Sequence, residues 1–461
     1  MSLEQELQFC KELFAHFEGS LQSPRATPVP TQFVSMWDEF RNALDTEGGF
    51  QETLALLLSM PANACDPGAL NYAGYVPNSA LPLARGVDAY LSVVNAVAAG
   101  CIDGQSFVQA EFAVADKLGE LAGFPADSRA GTFVQGGTLA NFCALAAARE
   151  RWRRRHRSSG SPVVMGARLT HSSLKVAARL LDMPFIPVDV TAAGVIDVAV
   201  LREMAGRYGS RIAAIIGNAG TTTAGSIDPL DAVGELATRC GAWFHVDGAY
   251  GGAVLVSARH RQLLAGISQA DSFVVDPHKW LFCPYDSSLI VYRNAPEVHK
   301  ELRIFSQAHE SDAEYLKFGF RHMAENHGPE HLPSDHEDLA LQLSRRPRGV
   351  VLWALIAALG VDGLGKYVDS AIEAIRHLYR YATEKNVRIP LAPQLSVLLL
   401  SHEKWQTNRD WDVNWVRPAF DMGYFVSTDN WAGETVGRLC LVHPTIMGED
   451  LEALVDLVAA G

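Results

Sequence analysis

The chain has 461 residues, 48% of them hydrophobic and 20% charged, and a net charge of −13. That length exceeds what one compact core holds, so two or three structural units are expected, and the composition excludes a disordered chain. The acidic balance gives no electrostatic reason to seek nucleic acid or an anionic membrane.

The chain begins MSLEQELQFCKELFAHFEGS, with no basic region ahead of an apolar core, so no secretory signal is expected. Leu3, Leu7, Leu13, Phe14 and Phe17 fit an amphipathic helix. Ser23 to Pro30, SPRATPVP, reads as a linker or extended arm, and residues 31–65 read as helical again. A second irregular stretch, DPGALNYAGYVPNSALP, ends near Pro82. Helices are predicted from about Arg85 to Ala99 and from Ala110 to Ala122.

From Gly131 onward, short apolar runs alternate with helical segments. The runs are PVVMG, IAAIIG from Ile212, WFHV from Trp243, DSFVV from Asp271 and LIVY from Leu289. Runs without polar alternation fit strands buried on both faces of a parallel sheet, and their alternation with helices predicts an α/β domain. Past about residue 345 come a long helix, the strand-like LSVLLLS and RLCLV, and a closing helix, which predict a smaller α+β unit. The expected divisions are 1–70, 71–345 and 346–461. No apolar stretch is expected to span a bilayer. Cys10, Cys65, Cys101, Cys143, Cys240, Cys283 and Cys440 have no paired spacing, which argues against disulfides or a zinc site and fits the cytoplasm.

Four segments carry chemistry. QGGTLAN, from Gln135, lies between an apolar run and a helical one. Its glycines let a ligand approach the backbone, Thr138 offers a hydroxyl, and the helix start offers free N–H groups, so it can cup a phosphate. THSSLKVAA places His171 ahead of a helix, where an imidazole can stack on an aromatic ring. HVDGAYGG puts Asp247 at the C-terminal end of a strand, where it can keep a pyridine nitrogen protonated. VDPHKW puts Lys279 just after another strand. Desolvation there is expected to lower its pKa and free the amine for Schiff-base chemistry. Lys175 is read as structural.

Each segment alone has a plain structural reading: a turn, a capping histidine, a pairing carboxylate, a solvated lysine. Their order is more specific. The cup precedes an acid and an amine that lie one crossover apart on one sheet. A cup for a phosphate, an acid for a ring nitrogen and an amine for an aldehyde are what pyridoxal 5'-phosphate (PLP) requires.

Over roughly Asn71 to His443 the sequence resembles the group II PLP-dependent amino-acid decarboxylases. NYAGYVP, GTTTAGSIDPL, HVDGAY, VDPHKWLF, SRRPRGVVLWALIAALG and GRLCLVHP carry the resemblance. It implies the fold-type-I, PLP-dependent transferase-like architecture, with a helical N-terminal segment that packs in a dimer. It also implies a homodimer with active sites at the subunit interface. Lys279 would join the PLP aldehyde, Asp247 would face the ring nitrogen, and His171 and Ala249 would bracket the ring. Gly137, Thr138 and His278 would lie around the phosphate, and Thr222 near the cofactor. The reaction implied is loss of CO2 from an L-amino acid through an external aldimine and a quinonoid, giving the amine.

Arg438 is a candidate for the substrate carboxylate, in the manner of the glutamate-decarboxylase branch or for the α-carboxylate of any amino acid. Tyr72 and Tyr75 fit either a substrate pocket or an interface core. QGGTLAN has Leu139 where the family commonly has an acid, and HVDGAY has Gly248 where Ala is common. The larger departure is the loop tyrosine that donates a proton to Cα, whose place is taken by His336. His309, His322, His327 and His331 share that stretch. One of the five is a candidate donor, and a plain solvated loop is the other reading. In this family, loss of the tyrosine accompanies oxidative formation of an aldehyde. A carbon–carbon lyase is a further alternative.

Overall fold

The computed structural model describes residues 3–22, 35–45, 50–156, 160–302 and 339–461. The N-terminal part is helical: α1 (Leu3–Gln22), α2 (Trp37–Asp45) and α3 (Phe50–Ser59). Then come α4 (Pro82–Val93) and α5 (Cys101–Leu121). Both differ in extent from the sequence expectation. Pro82 starts α4 because a first helical residue needs no N–H partner, and Asn95 at φ +48 turns the chain where the helix was expected to continue. The second helix starts nine residues earlier than expected and absorbs a kink at Gly104.

The large unit is a seven-stranded sheet in the order β1-β7-β6-β5-β4-β2-β3. Its elements run β1 (Ala130–Val134), α6 (Gly137–Arg155), β2 (Val163–Ala167), α7 (Ser172–Leu180), β3 (Phe185–Val188) and α8 (Val198–Tyr208). They continue with β4 (Ile212–Asn218), α9 (Leu230–Cys240), β5 (Trp243–Asp247), β6 (Ser272–Val275), β7 (Ser288–Tyr292) and α10 (Ala295–Leu302). β3, β2, β4, β5 and β6 pair in parallel, while β7 is antiparallel to both β6 and β1. Every residue of β2, β4, β5, β6 and β7 is buried, which is why these strands read as unbroken apolar runs. The Pro-containing edge strand β3 is only partly buried and gave no such run.

Parallel strands end on the same side. The C-terminal ends of β1, β2, β4, β5 and β6 therefore bring five sequence-distant loops to one edge, and the reversed β7 begins there.

The long helix α11 (Gly349–Glu384) leads to a second, antiparallel sheet. It contains β8 (Val397–Leu400), β9 (Ser427–Trp431) and β10 (Glu434–Cys440) in the order β8-β10-β9, and α12 (Glu452–Ala460) closes the chain. The polar edge strand β9 was not visible as an apolar run. By length and composition α11 is apolar enough to cross a membrane, although Asp362 interrupts its apolar run. Here it packs on α4, α5 and α12, carries Asp362, Lys366, Asp369 and Glu373, and bends at Gly360.

Candidate active site

At the shared strand edge lies a cavity of about 500 Å³. The loop after β1 supplies Gly136, which precedes α6 with no side-chain cap. The first N–H groups of α6 have no acceptor inside the helix and are left for a ligand. Gly137 is required by close approach, since a Cβ there would sit 2.9 Å from Asp276 Oδ2.

β5 ends on Asp247, which is buried. Its Oδ1 accepts from the Ala249 N–H at 3.1 Å and its Oδ2 from Asn141 Nδ2 at 3.3 Å. Burial pushes this carboxyl above the usual carboxylate range, against the pull of the Lys279 charge.

Behind Asp247 a chain of hydrogen bonds has one consistent direction. Trp243 Nε1–H donates to Ser272 Oγ at 2.8 Å, and Ser272 Oγ lies 2.8 Å from His245 Nδ1. Desolvation lowers the His245 pKa to about 3, so the ring is neutral and Nδ1 accepts. His245 Nε2 then donates to Asn141 Oδ1 at 2.9 Å. The Asn141 amide nitrogen donates to Asp247 and, at 3.0 Å, to Ser173 Oγ. Ser173 turns its own proton to His171 Nδ1 at 2.8 Å, which also accepts the Ser173 N–H at 3.2 Å. The His171 proton is thereby left on Nε2. Asn141, Ser173, His245 and Ser272 were not singled out in the sequence, although the first three lie inside quoted motifs and Ser272 inside a quoted apolar run.

Lys279 lies beyond β6, on a turn closed by its N–H to the Asp276 carbonyl at 2.9 Å. Its Nζ is 2.7 Å from Asp276 Oδ2. The expected lowering of its pKa is corrected. Desolvation does favour the neutral amine, but the charge and hydrogen bond of Asp276, with the charge of Asp247, outweigh it, and the net shift is upward. Asp276 was part of the quoted motif yet had no assigned role.

His278 also lines the cavity; its Nδ1 lies 2.5 Å from the Ser287 carbonyl oxygen and 3.0 Å from the Ser287 nitrogen, and its ring lies 4.9 Å from that of Tyr285. Asn78 pins the turn by donating to the carbonyls of His278 and, at 3.0 Å, Cys283. Gly137, Thr138, His171, Thr222, Asp247, Ala249, His278 and Lys279 thus share one cavity, as the sequence grouped them. Lys175 donates to the Arg168 carbonyl at 3.0 Å and is not part of the lining.

Arg438 and Tyr75 are not among the lining residues. Arg438 is buried, and its guanidinium is taken up by backbone carbonyls: Thr222 at 2.6 and 3.0 Å, Thr223 at 3.2 Å and Tyr75 at 2.5 Å. Tyr75 is 64% exposed, with its ring against Phe425. His336 and the other four loop histidines lie outside the described residues.

The residues present fit PLP. A buried carboxylate, a lysine and an uncapped helix start face one space, with His171 and Ala249 available for the two faces of a flat ring.

The family description "Pyridoxal-dependent decarboxylase conserved domain" matches residues 94–396. The aromatic-L-amino-acid decarboxylase of Bacillus atrophaeus is 27% identical over 407 residues, covering 86% of this chain and 79% of that protein. The cysteine sulfinic acid decarboxylase of Mus musculus is 32% identical over 285 residues, covering 59% of this chain and 54% of that protein. The chain therefore spans about half the length of that second relative. The structure of Oryza sativa TDC with PLP and tryptamine shares the fold, with a TM-score of 0.87 at 20% identity, covering 100% of this chain and 98% of that one. With about two-thirds of its length matched, a range that includes Lys279, the chain belongs to the pyridoxal-dependent decarboxylase family, and its cofactor is pyridoxal 5'-phosphate.

Proposed function

We propose that this enzyme removes the α-carboxylate of an L-amino acid as CO2 and releases the amine. The observation that carries this reading is the convergence of Lys279, Asp247 and the uncapped start of α6 on one cavity. When bound, PLP supplies an aldehyde for an amine and a ring that accepts the electron pair left at Cα. Lys279 is the amine that would hold it. Asp247 would keep the proton on the ring nitrogen, since a fixed negative charge favours the protonated form. Gly137, Thr138 and His278 would hold the phosphate. His171 and Ala249 would bracket the ring, and the Nε2–H of His171 would be free to face the substrate carboxylate.

Thr222 would stand beside the cofactor, its backbone fixed by Arg438. Arg438 would act on the substrate through that wall and through the Tyr75 backbone. The Cα proton would come from the segment bearing His336, which lies outside the described residues. Cys10, Cys65, Cys143, Cys240, Cys283 and Cys440 are free, which supports a reducing compartment such as the cytoplasm.

The test is a product screen. The PLP-loaded protein is incubated with single L-amino acids, and CO2, amine, aldehyde and hydrogen peroxide are measured together. Amine and CO2 in equal amounts support the reading. Aldehyde with peroxide would replace it by an oxidative outcome, and aldehyde without CO2 by a carbon–carbon lyase.

A homodimer is also proposed. Leu83, Tyr90, Val93, Val94 and Val97 stand exposed on and after α4, whose Asp88 and Leu91 share a small groove with the exposed Tyr285. An apolar face of this kind, beside the cavity mouth, suits a second copy of the chain.

A further inference from the structure

Asp276 is a second buried carboxylate at the site, 2% exposed, and its surroundings differ from those of Asp247. Its Oδ2 faces the Lys279 amine at 2.7 Å, and its Oδ1 accepts from Ser288 Oγ at 2.5 Å. Its backbone N–H is fixed to the Ala249 carbonyl at 3.0 Å. On the remaining side the carboxylate lies against Gly137, where a Cβ would come within 2.9 Å. Held in this way, it can neither swing away from Lys279 nor trade places with Asp247. Asp247 has its own donors, Asn141 and Ala249.

Lysine attacks an aldehyde only as the neutral amine, so a proton acceptor must lie within hydrogen-bond reach of Nζ. Asp276 is the described carboxylate at that distance. Asp247 acts on the amine through its charge, as does the Tyr285 phenol at the cavity mouth. His278 has its Nδ1 taken by Ser287, with Nε2 3.8 Å from Asp276, and His171 is tied to Ser173. Asp286 also lines the cavity, where it pairs with Arg348 at 2.9 Å.

We propose that Asp276 is the proton keeper of Lys279: its carboxylate takes the ammonium proton when the amine joins the PLP aldehyde and returns it when a substrate amine displaces the lysine. The ammonium carries three N–H protons. Two leave with the aldehyde oxygen as water while the carbon–nitrogen double bond forms. The third is shared between that nitrogen and Asp276. When the substrate nitrogen takes over the bond to carbon, its own two protons pass to the departing lysine nitrogen. The proton kept by Asp276 makes that nitrogen an ammonium, which cannot attack again. Asp276 is thus a positioning and proton-holding residue, distinct from the ring acid Asp247. The inference rests on the reading of Lys279 as the lysine that joins the cofactor.

The experiment follows the visible absorbance of the lysine–PLP linkage against pH in the cofactor-free protein, in Asp276→Asn and in Asp276→Glu. Binding of pyridoxamine phosphate, which has no aldehyde, reports separately that the cavity is intact. In Asp276→Asn the ammonium loses its partner charge, so the pH midpoint for linkage falls by about 1–3 units, and with no acceptor facing Nζ the rate of linkage at a fixed pH above that midpoint falls as well. Asp276→Glu returns it toward the wild-type value. An unchanged midpoint in Asp276→Asn, or an equal fall in Asp276→Glu, overturns the proposal.

A second measurement needs no variant. Acetylation of Lys279 against pH in the cofactor-free wild type, read by mass spectrometry, has a midpoint above that of the exposed Lys175. A midpoint at or below that of Lys175 also overturns the proposal. Neither readout involves a substrate, so failure of the decarboxylase reading would leave both unchanged.

Discussion

Asn141 stands between His245 and Asp247, accepting from the imidazole at 2.9 Å with its oxygen and donating to the carboxylate at 3.3 Å with its nitrogen. The amide cannot be turned over, because its oxygen would then face the carboxylate. That single orientation fixes the protons on His245 and, through Ser173, on His171. Replacing His245 by Phe leaves the Asn141 oxygen without its donor and the Ser272 hydroxyl proton without its acceptor in a dry interior. A buried polar group left unsatisfied costs about 1–3 kcal/mol. Urea unfolding should show a loss of that size, and kcat should fall more than KM as His171 and Asp247 lose their orientation.

The same histidine gives a pH signature. Its pKa is lowered to about 3 from 6.5 by burial. The unfolded chain therefore binds a proton that the folded chain refuses between these values. Its contribution to stability is present above pH 6.5 and is lost as pH falls toward 3, at about 1.4 kcal/mol per pH unit. In His245→Gln the unfolding free energy should decline less steeply between pH 6 and 4 than in the wild type. Equal slopes would show that another group dominates.

The cofactor linkage tests the lysine. Lys279→Ala mixed with PLP should show no visible linkage band and no product, while Lys175→Ala should show both. A persistent band in Lys279→Ala would move the assignment elsewhere.

The cup predicts a steric effect. Gly137→Ala pushes a methyl against the Asp276 carboxylate, which Ser288 and Lys279 hold in place. Overpacking of this kind costs about 1–3 kcal/mol. A PLP titration should give an affinity lower by roughly ten- to a hundredfold.

A second buried ion pair should matter for stability alone. Arg345 meets Glu111 with both side chains almost fully buried. Arg345 also donates to the Phe133 carbonyl at 2.9 Å, and Glu111 accepts the Gly349 N–H at 2.6 Å. The pair therefore ties α5, β1 and the start of α11 together. Glu111→Ala strands the guanidinium, a loss of about 3–5 kcal/mol. Thermal unfolding should report it.

Much of the sheet was legible because burial on both faces leaves its mark on every residue of a strand. β3 and β9, at sheet edges, bury too little to leave that mark. The cavity was legible for a related reason: parallel strands deliver their following loops to one edge, so motif order predicts convergence. Partnerships across the chain were not. Nothing near Asn141 announces His245, and the basicity of Lys279 was misjudged because burial is visible in a sequence while the reach of Asp276 is not. Arg438 looked like a free cation for a substrate because its four contacts are to backbone carbonyls, which no side-chain pattern reveals.

The reversed direction of β7 bears on the chain segment that carries the lysine. Because β6 and β7 are hydrogen-bonded neighbours, the connection from Asp276 to Ser287 leaves and returns to adjacent positions, with no helix between. Its ends are moored by the sheet and its middle by Asn78. A short tether closed at both ends loses little conformational entropy on ordering. Lys279 is therefore held ready before any ligand arrives, and lengthening this connection should loosen cofactor capture more than lengthening any helical crossover elsewhere in the sheet.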